Sequence, residues 1–165
     1  MDVELTLAPR TAGPLLENLF QYYAYDFSES IGLDVGDDGM FAPRSLEPYW
    51  QDPFRHPFLA RVAGQHAGFA LVHQRSYLTA DPAVCDIAEF FVLRKYRRRG
   101  VGAALARQVF ELFKGRWEVR QLASNGAATQ FWRAVIAGYT DGRFVETTWD
   151  NERWRGPVQE FDNSR

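Results

Sequence analysis

Between Ile87 and Leu112 an apolar strand-like run passes through a basic turn into a helix-spaced segment, and within that span glycine occurs only at the junction. The run Ile87-Ala88-Glu89-Phe90-Phe91-Val92-Leu93 leads into Arg94 to Arg99, where five of six residues are basic, and then into Gly100-Val101-Gly102-Ala103. Residues 100–114 are predicted helical, because Val101, Leu105, Val109 and Leu112 share one face and Gly115 follows. A strand that feeds a helix through so short a turn points to layered α/β packing. The first amides of such a helix lack intrahelical acceptors, and with the helix dipole they favour an anion. Glycine lets that anion approach the backbone closely, and the arginines suit a ligand carrying several phosphate charges.

The flanking segments extend the pattern. Residues 3–7 alternate as a strand, Pro14 opens a helical stretch to about residue 27, and residues 31–56, rich in Gly, Pro, Asp and aromatics, form a long, partly helical connection. Residues 58–62, 67–78 and 85–93 read as an antiparallel meander, with Ala63-Gly64-Gln65-His66 as its first turn. Residues 117–123 are strand-like, and residues 125–137 are helical with Ser124 or Asn125 as cap. Residues 143–149 and 157–161 are two closing strands. The predicted order is β-α-(α)-βββ-α-β-α-ββ, a mixed α/β (α+β) fold with a mostly antiparallel central sheet and helices on both faces. At 165 residues, with 46% hydrophobic and 15% aromatic, the chain fills one substantial core, so residues 1–165 are expected to form a single domain.

Charge narrows the partners. A net charge of -2 argues against broad attraction to nucleic acid, so the basic turn must act locally. Cys85 is the sole cysteine, so no intrachain disulfide forms and a reducing cytoplasm fits. The opening residues lack a basic leader and no long apolar run follows, so neither secretion nor a membrane partner is expected. His56, His66 and His73 have no metal-like spacing, and no metal is expected. A monomer or homodimer is expected.

Arg97-x-x-Gly100-x-Gly102 resembles the R/Q-x-x-G-x-G/A signature of GNAT acyltransferases, and the preceding EFFV strand is similar too. A Rossmann site fits poorly: Leu105 stands at the third glycine position, and Arg120-Gln121-Leu122 stand where an acid should follow. Asn125, Ala128 and Phe131 match the family's second coenzyme A region, N-x-x-A-x-x-F-Y, with Trp132 in place of the tyrosine, and Gly138-Tyr139 comes two residues later than the usual G-F. The FWR helix and GPVQEF tail are similar to a divergent subgroup of predicted acetyltransferases. The resemblance implies acetyl-CoA as donor, held by Phe91, Val92, Leu93, Arg97, Arg98, Arg99, Gly100, Val101, Gly102, Ala103, Asn125, Ala128, Phe131 and Trp132. It also implies a main-chain N–H near Val92 that polarises the thioester carbonyl.

Acyl transfer to an amine needs a proton acceptor, and Glu89 interrupts an apolar run where burial would raise its pKa toward that of a general base. Asp86 is the competing base, because a bulge in the strand would turn either carboxylate toward the acceptor. An indole N–H is no useful acid, so Trp132 removes the usual one, and Tyr139 is the nearest phenol. Residues 26–52 carry seven acids against one base, Arg44, which suits a cationic small-molecule or peptide amine. Tyr22, Tyr25, Asp26 and Trp50 are its expected wall. The expected function is N-acetyl transfer in a ternary complex; the alternative, prompted by Trp132, is an inactive acyl-CoA-binding module of the same fold.

Overall fold

The computed structural model describes residues 2–164. Its strands are β1 (Glu4–Leu7), β2 (Arg55–Val62), β3 (Gln65–His73), β4 (Val84–Val92), β5 (Arg116–Arg120), β6 (Val145–Asp150) and β7 (Arg155–Asp162). Its helices are α1 (Gly13–Ile31), α2 (Pro48–Gln51), α3 (Val101–Leu112) and α4 (Gly126–Thr140). The strands form one sheet ordered β1-β2-β3-β4-β5-β7-β6, in which only the β4–β5 pair is parallel. A parallel pair needs a crossover, and α3 supplies it. The element order and sheet type match the expectation, with α2 as the short helix inside the long connection.

Alternation along the strands gives the sheet two apolar faces. On one, Val72, Ile87, Val119 and Phe161 pack with Leu105, Val109 and Phe110 of α3 and with Trp132 and Ile136 of α4. On the other, Leu59, Phe69, Leu71 and Phe91 meet Leu16, Leu19 and Phe20 of α1 and Tyr49 of α2. Pro14 sits in the first turn of α1, and Gly32, in the left-handed region at φ 65°, ends that helix by donating its N–H to the Ser28 carbonyl.

Strand β3 is shorter than the expected 67–78. The chain leaves the sheet after His73 because Glu118 of β5, buried at 2% exposure, draws the loop inward. Its carboxylate accepts from Ser76 Oγ (2.6 Å), Tyr77 N (2.6 Å) and Leu78 N (3.3 Å). Such bonds satisfy a charge that burial would otherwise penalise. Among the described residues no helix is long and apolar enough to cross a membrane.

Candidate active site

The site begins where β4 leaves β5. Their pairing covers only Val84–Asp86 against Arg116–Glu118, yet β4 runs on to Val92 beside β3 alone. Beyond Asp86 the strands splay, and one edge of β4 faces a cleft. Leu93 N donates to Ala67 O of β3 (2.8 Å), so by antiparallel alternation the N–H and carbonyl of Val92 point to the cleft side.

The basic turn follows. Arg97 is extended, Arg98 and Gly100 are left-handed at φ 59° and 79°, and α3 starts at Val101. Alternating hands turn successive amides outward into an anion-binding concavity at the helix N-terminus. A Cβ on Gly100 would meet nothing within 4 Å, so glycine is needed there for its backbone angle. Gly102 differs: its Cβ would lie 3.1 Å from the Phe131 ring and 3.7 Å from Val92 Cγ2. That glycine lets α3 seat against α4, a packing role where the sequence suggested only close approach of a phosphate. Arg98 and Arg99 are exposed beside the concavity, Val101 is buried beneath it and Ala103 packs against the core.

Arg97 is otherwise engaged. Its Nε donates to Val92 O (2.6 Å), and its Nη2 pairs with Asp26 of α1, which also binds Arg94 Nη2 (2.9 Å). Asp26 thus belongs to the basic turn, and does not stand on an acceptor wall as the sequence suggested. On the cleft's other side, Asn125 Oδ1 accepts from Ala128 N (3.1 Å) and caps α4. Phe131 and the buried Trp132 pack on Phe90 at 5.8 and 4.8 Å between ring centroids.

The two carboxylates of β4 share a face because of a bulge. Leu71 opposes Glu89 while Val72 opposes Ile87, so Ala88 is the extra residue and the strand's alternation resets. Glu89 then meets the hydroxyl of Tyr23, which donates to Oε2, and the guanidinium of Arg44, which pairs with Oε1. Burial and the adjacent Glu89 charge push the Tyr23 phenol well above its usual range, so it stays a donor. Burial likewise raises Tyr49 to about 12, and Glu89 helps keep Arg44 charged. Arg44 is half-exposed. It lines a cavity of about 360 Å³ with Glu17, Phe20, Gln21, Ala24 and Ser45.

Asp86 is sealed. Both its oxygens are taken by Arg120, at 2.9 Å from Nε and 2.8 Å from Nη2, and the guanidinium lies in the corner between the Tyr77 and Trp154 rings at 4.0 and 4.6 Å. Burial raises the Asp86 carboxyl to about 6 even against Arg120's opposing pull. A carboxylate held in a bidentate pair under two rings has no oxygen left for an acceptor.

Three other expectations shift with the geometry. Tyr139 lies in the last turns of α4, about 20 Å along the axis from the helix start that borders the cleft. Its hydroxyl donates to Glu111 (2.6 Å), so it offers no proton at the cleft. Tyr22 and Tyr25 are 59% and 64% exposed, because the sheet-facing side of α1 is the one bearing Leu16, Phe20 and Tyr23. Trp50 donates to Ala8 O (2.9 Å) and rests on Gly13, as packing beneath the start of α1. Tyr23, Arg44 and Arg120 escaped sequence reasoning; only the isolation of Arg44 among acids signalled any of them. Cys85 is buried and raised to about 11, which leaves it no nucleophile.

A splayed sheet edge ending at an amide-lined concavity suits a ligand that carries phosphates and extends along the strand end. Residues 18–136 match the model of the acetyltransferase (GNAT) family, and the chain belongs to that family of acetyl-CoA-dependent enzymes. The fold recurs in an acetyltransferase from Thermus thermophilus (15% identity, TM-score 0.70, covering 98% of this chain and 97% of that one). It recurs too in a spermidine N-acetyltransferase from Vibrio cholerae in complex with CoA and spermine (13%, 0.63, 98% and 96%). An aminoglycoside acetyltransferase AAC(6')-Ib in complex with coenzyme A and kanamycin shares it as well (16%, 0.64, 98% and 95%). No curated protein sequence matches the chain.

Proposed function

We propose that the chain, as one catalytic domain, moves an acetyl group from acetyl-CoA to a primary amine by direct attack, with Glu89 receiving the amine's proton. The observation that carries this reading is the bulge at Ala88, which turns Glu89 to the α1 face beside the cleft, where its partners are a phenol and a half-exposed arginine. Acetyl-CoA brings a thioester carbonyl that an amine can attack. The exposed Arg98 and Arg99 and the amides from Arg98 to Ala103 are suited to its phosphates, and Phe131 and the Asn125-capped helix to its pantetheine arm. The Val92 N–H, pointing to the cleft, is the donor suited to the developing oxyanion. The cavity beside Arg44 is the acceptor's entrance, and a cationic amine there replaces the arginine as the partner of Glu89. Trp132 is in the core and Tyr139 is remote, so α4 supplies no acid and the thiolate leaves without a dedicated one.

The test is a panel of polyamine, aminoglycoside, amino-acid and peptide amines incubated with acetyl-CoA and followed by thiol release. At least one amine is expected to raise release well above the hydrolytic background. Background rates with every amine, from protein that binds CoA, would overturn the reading.

A further inference from the structure

Asp26 sits on α1 one turn beyond Tyr23, the residue that binds Glu89, yet its carboxylate faces the opposite end of the site. Its Oδ1 accepts from Arg94 Nε (3.1 Å) and Nη2 (2.9 Å), and its Oδ2 pairs with Arg97 Nη2. Arg97 in turn donates Nε to the Val92 carbonyl at 2.6 Å. Arg94 is 72% exposed at its side chain, whereas Asp26 is only 18% exposed. The chain of contacts therefore runs from helix α1 through a partly buried carboxylate and a guanidinium to one main-chain carbonyl at the cleft edge.

That carbonyl belongs to a peptide held from one side only. Leu93 N, the other half of the peptide unit, is fixed by Ala67 O of β3, while β5 has already diverged from β4 and offers Val92 no partner on the cleft side. A charge-assisted hydrogen bond is stronger and better oriented than a neutral one, and a guanidinium pinned by a carboxylate loses little further freedom in making it. Arg97 stands on a turn with two left-handed residues and also lies over the Phe91 ring, 5.5 Å from its centroid. With Asp26 holding its far nitrogen, it stays on Val92.

We propose that Asp26 is a positioning residue which, through Arg97, fixes the Val92–Leu93 peptide and so limits rotation about the Val92 backbone, keeping the N–H of the preceding peptide aimed into the cleft, and that Arg97 serves this role and does not contact phosphate. The role of that N–H rests on the reading given under Proposed function. The clamp makes α1 a common support for both halves of the site: Tyr23 orients Glu89 and Asp26 orients the strand end.

The test uses the ¹⁵N-labelled full chain, with coenzyme A itself as the probe. In the wild type, coenzyme A is expected to shift the Val92 amide resonance. Asp26→Asn and Arg97→Ala should each move that resonance in the free protein, speed hydrogen exchange at Leu93 by roughly tenfold or more, and change coenzyme A affinity less than about threefold. The salt dependence of binding should be unaltered, because no phosphate contact is lost. The double variant should add nothing to either single one, and Asp26→Glu should restore the resonance in part. Melting curves of each variant separate loss of the clamp from loss of the fold. An unmoved Val92 amide in Asp26→Asn would overturn the clamp, as would a large fall in affinity with a flatter salt dependence in Arg97→Ala. If coenzyme A leaves the wild-type Val92 amide where it was, the reading of the cleft fails instead, whatever Asp26 does.

Discussion

The two faces of the sheet solve different problems. The face under α3 and α4 is largely apolar, with Phe110 edge to face against Trp117 and Phe161 and tilted against Trp132, and its buried side-chain polar pair is Gln121 donating to Gln159 (2.7 Å), beside the helix starts at Gly100 and Asn125. The face under α1 and α2 is apolar in its middle but carries Glu89, Asp86 and Glu118 along its cleft side, each with a cation or several donors. Under the function proposed above, one face binds by backbone shape and the other does chemistry with buried charge. Within the second face the same contrast recurs at short range, since Asp86 is locked by Arg120 while Glu89 keeps a partner that solvent reaches.

The largest expected effect strikes the locked pair. Arg120→Ala leaves the Asp86 carboxylate buried without its partner and should cost about 3–5 kcal/mol, read by chemical denaturation near neutral pH. A loss under about 1 kcal/mol would mean that the two carboxylates are equally free, and the contrast would collapse. The pair also has a pH signature. Because the folded Asp86 carboxyl is raised from 3.8 to about 6, its proton is bound more tightly in the fold than in the unfolded chain. Its stabilising contribution is full below about pH 4 and is lost as pH rises through about 6. The stability of wild type minus that of Asp86→Asn should therefore fall across that window and level off above it.

The apolar face yields the next effect. Gly102→Val drives a branched side chain into the Phe131 ring and toward Val92, and should cost about 1–3 kcal/mol while weakening coenzyme A, measured by melting and by calorimetry. Weakened binding at unchanged stability would assign the glycine to the phosphate alone. Smaller still, Arg98→Ala and Arg99→Ala should each weaken coenzyme A a few-fold, with a shallower salt dependence, and leave stability as it was.

The contrast between faces also explains what was legible in the sequence. The strand, turn and helix from Ile87 to Leu112 were readable because they are contiguous, and periodicity reports contiguous structure well. Asn125 was readable as a cap for the same reason. The charged face was not, since the partners of Glu89 are Tyr23 and Arg44 and the partner of Asp86 is Arg120, brought together only by the sheet. A tyrosine in a run of three within four residues, Tyr22, Tyr23 and Tyr25, gives no local sign of which one turns inward; the phase of α1 decides it. The end of β3 was misplaced for a like reason, because Glu118, far along the chain, organises the loop after His73. The bulge at Ala88 is what local reading anticipated in kind, though not in position.

One pair of substitutions separates Glu89, the proposed proton acceptor, from Asp86. With the best amine from the acetyl-CoA panel, Glu89→Gln should keep its coenzyme A affinity and its fold but lower turnover by roughly 10². Asp86→Asn should lower stability and leave turnover in the folded fraction nearly intact. A stable Glu89→Gln protein working at near-native rate, or an Asp86→Asn protein that folds and is dead, would contradict the account.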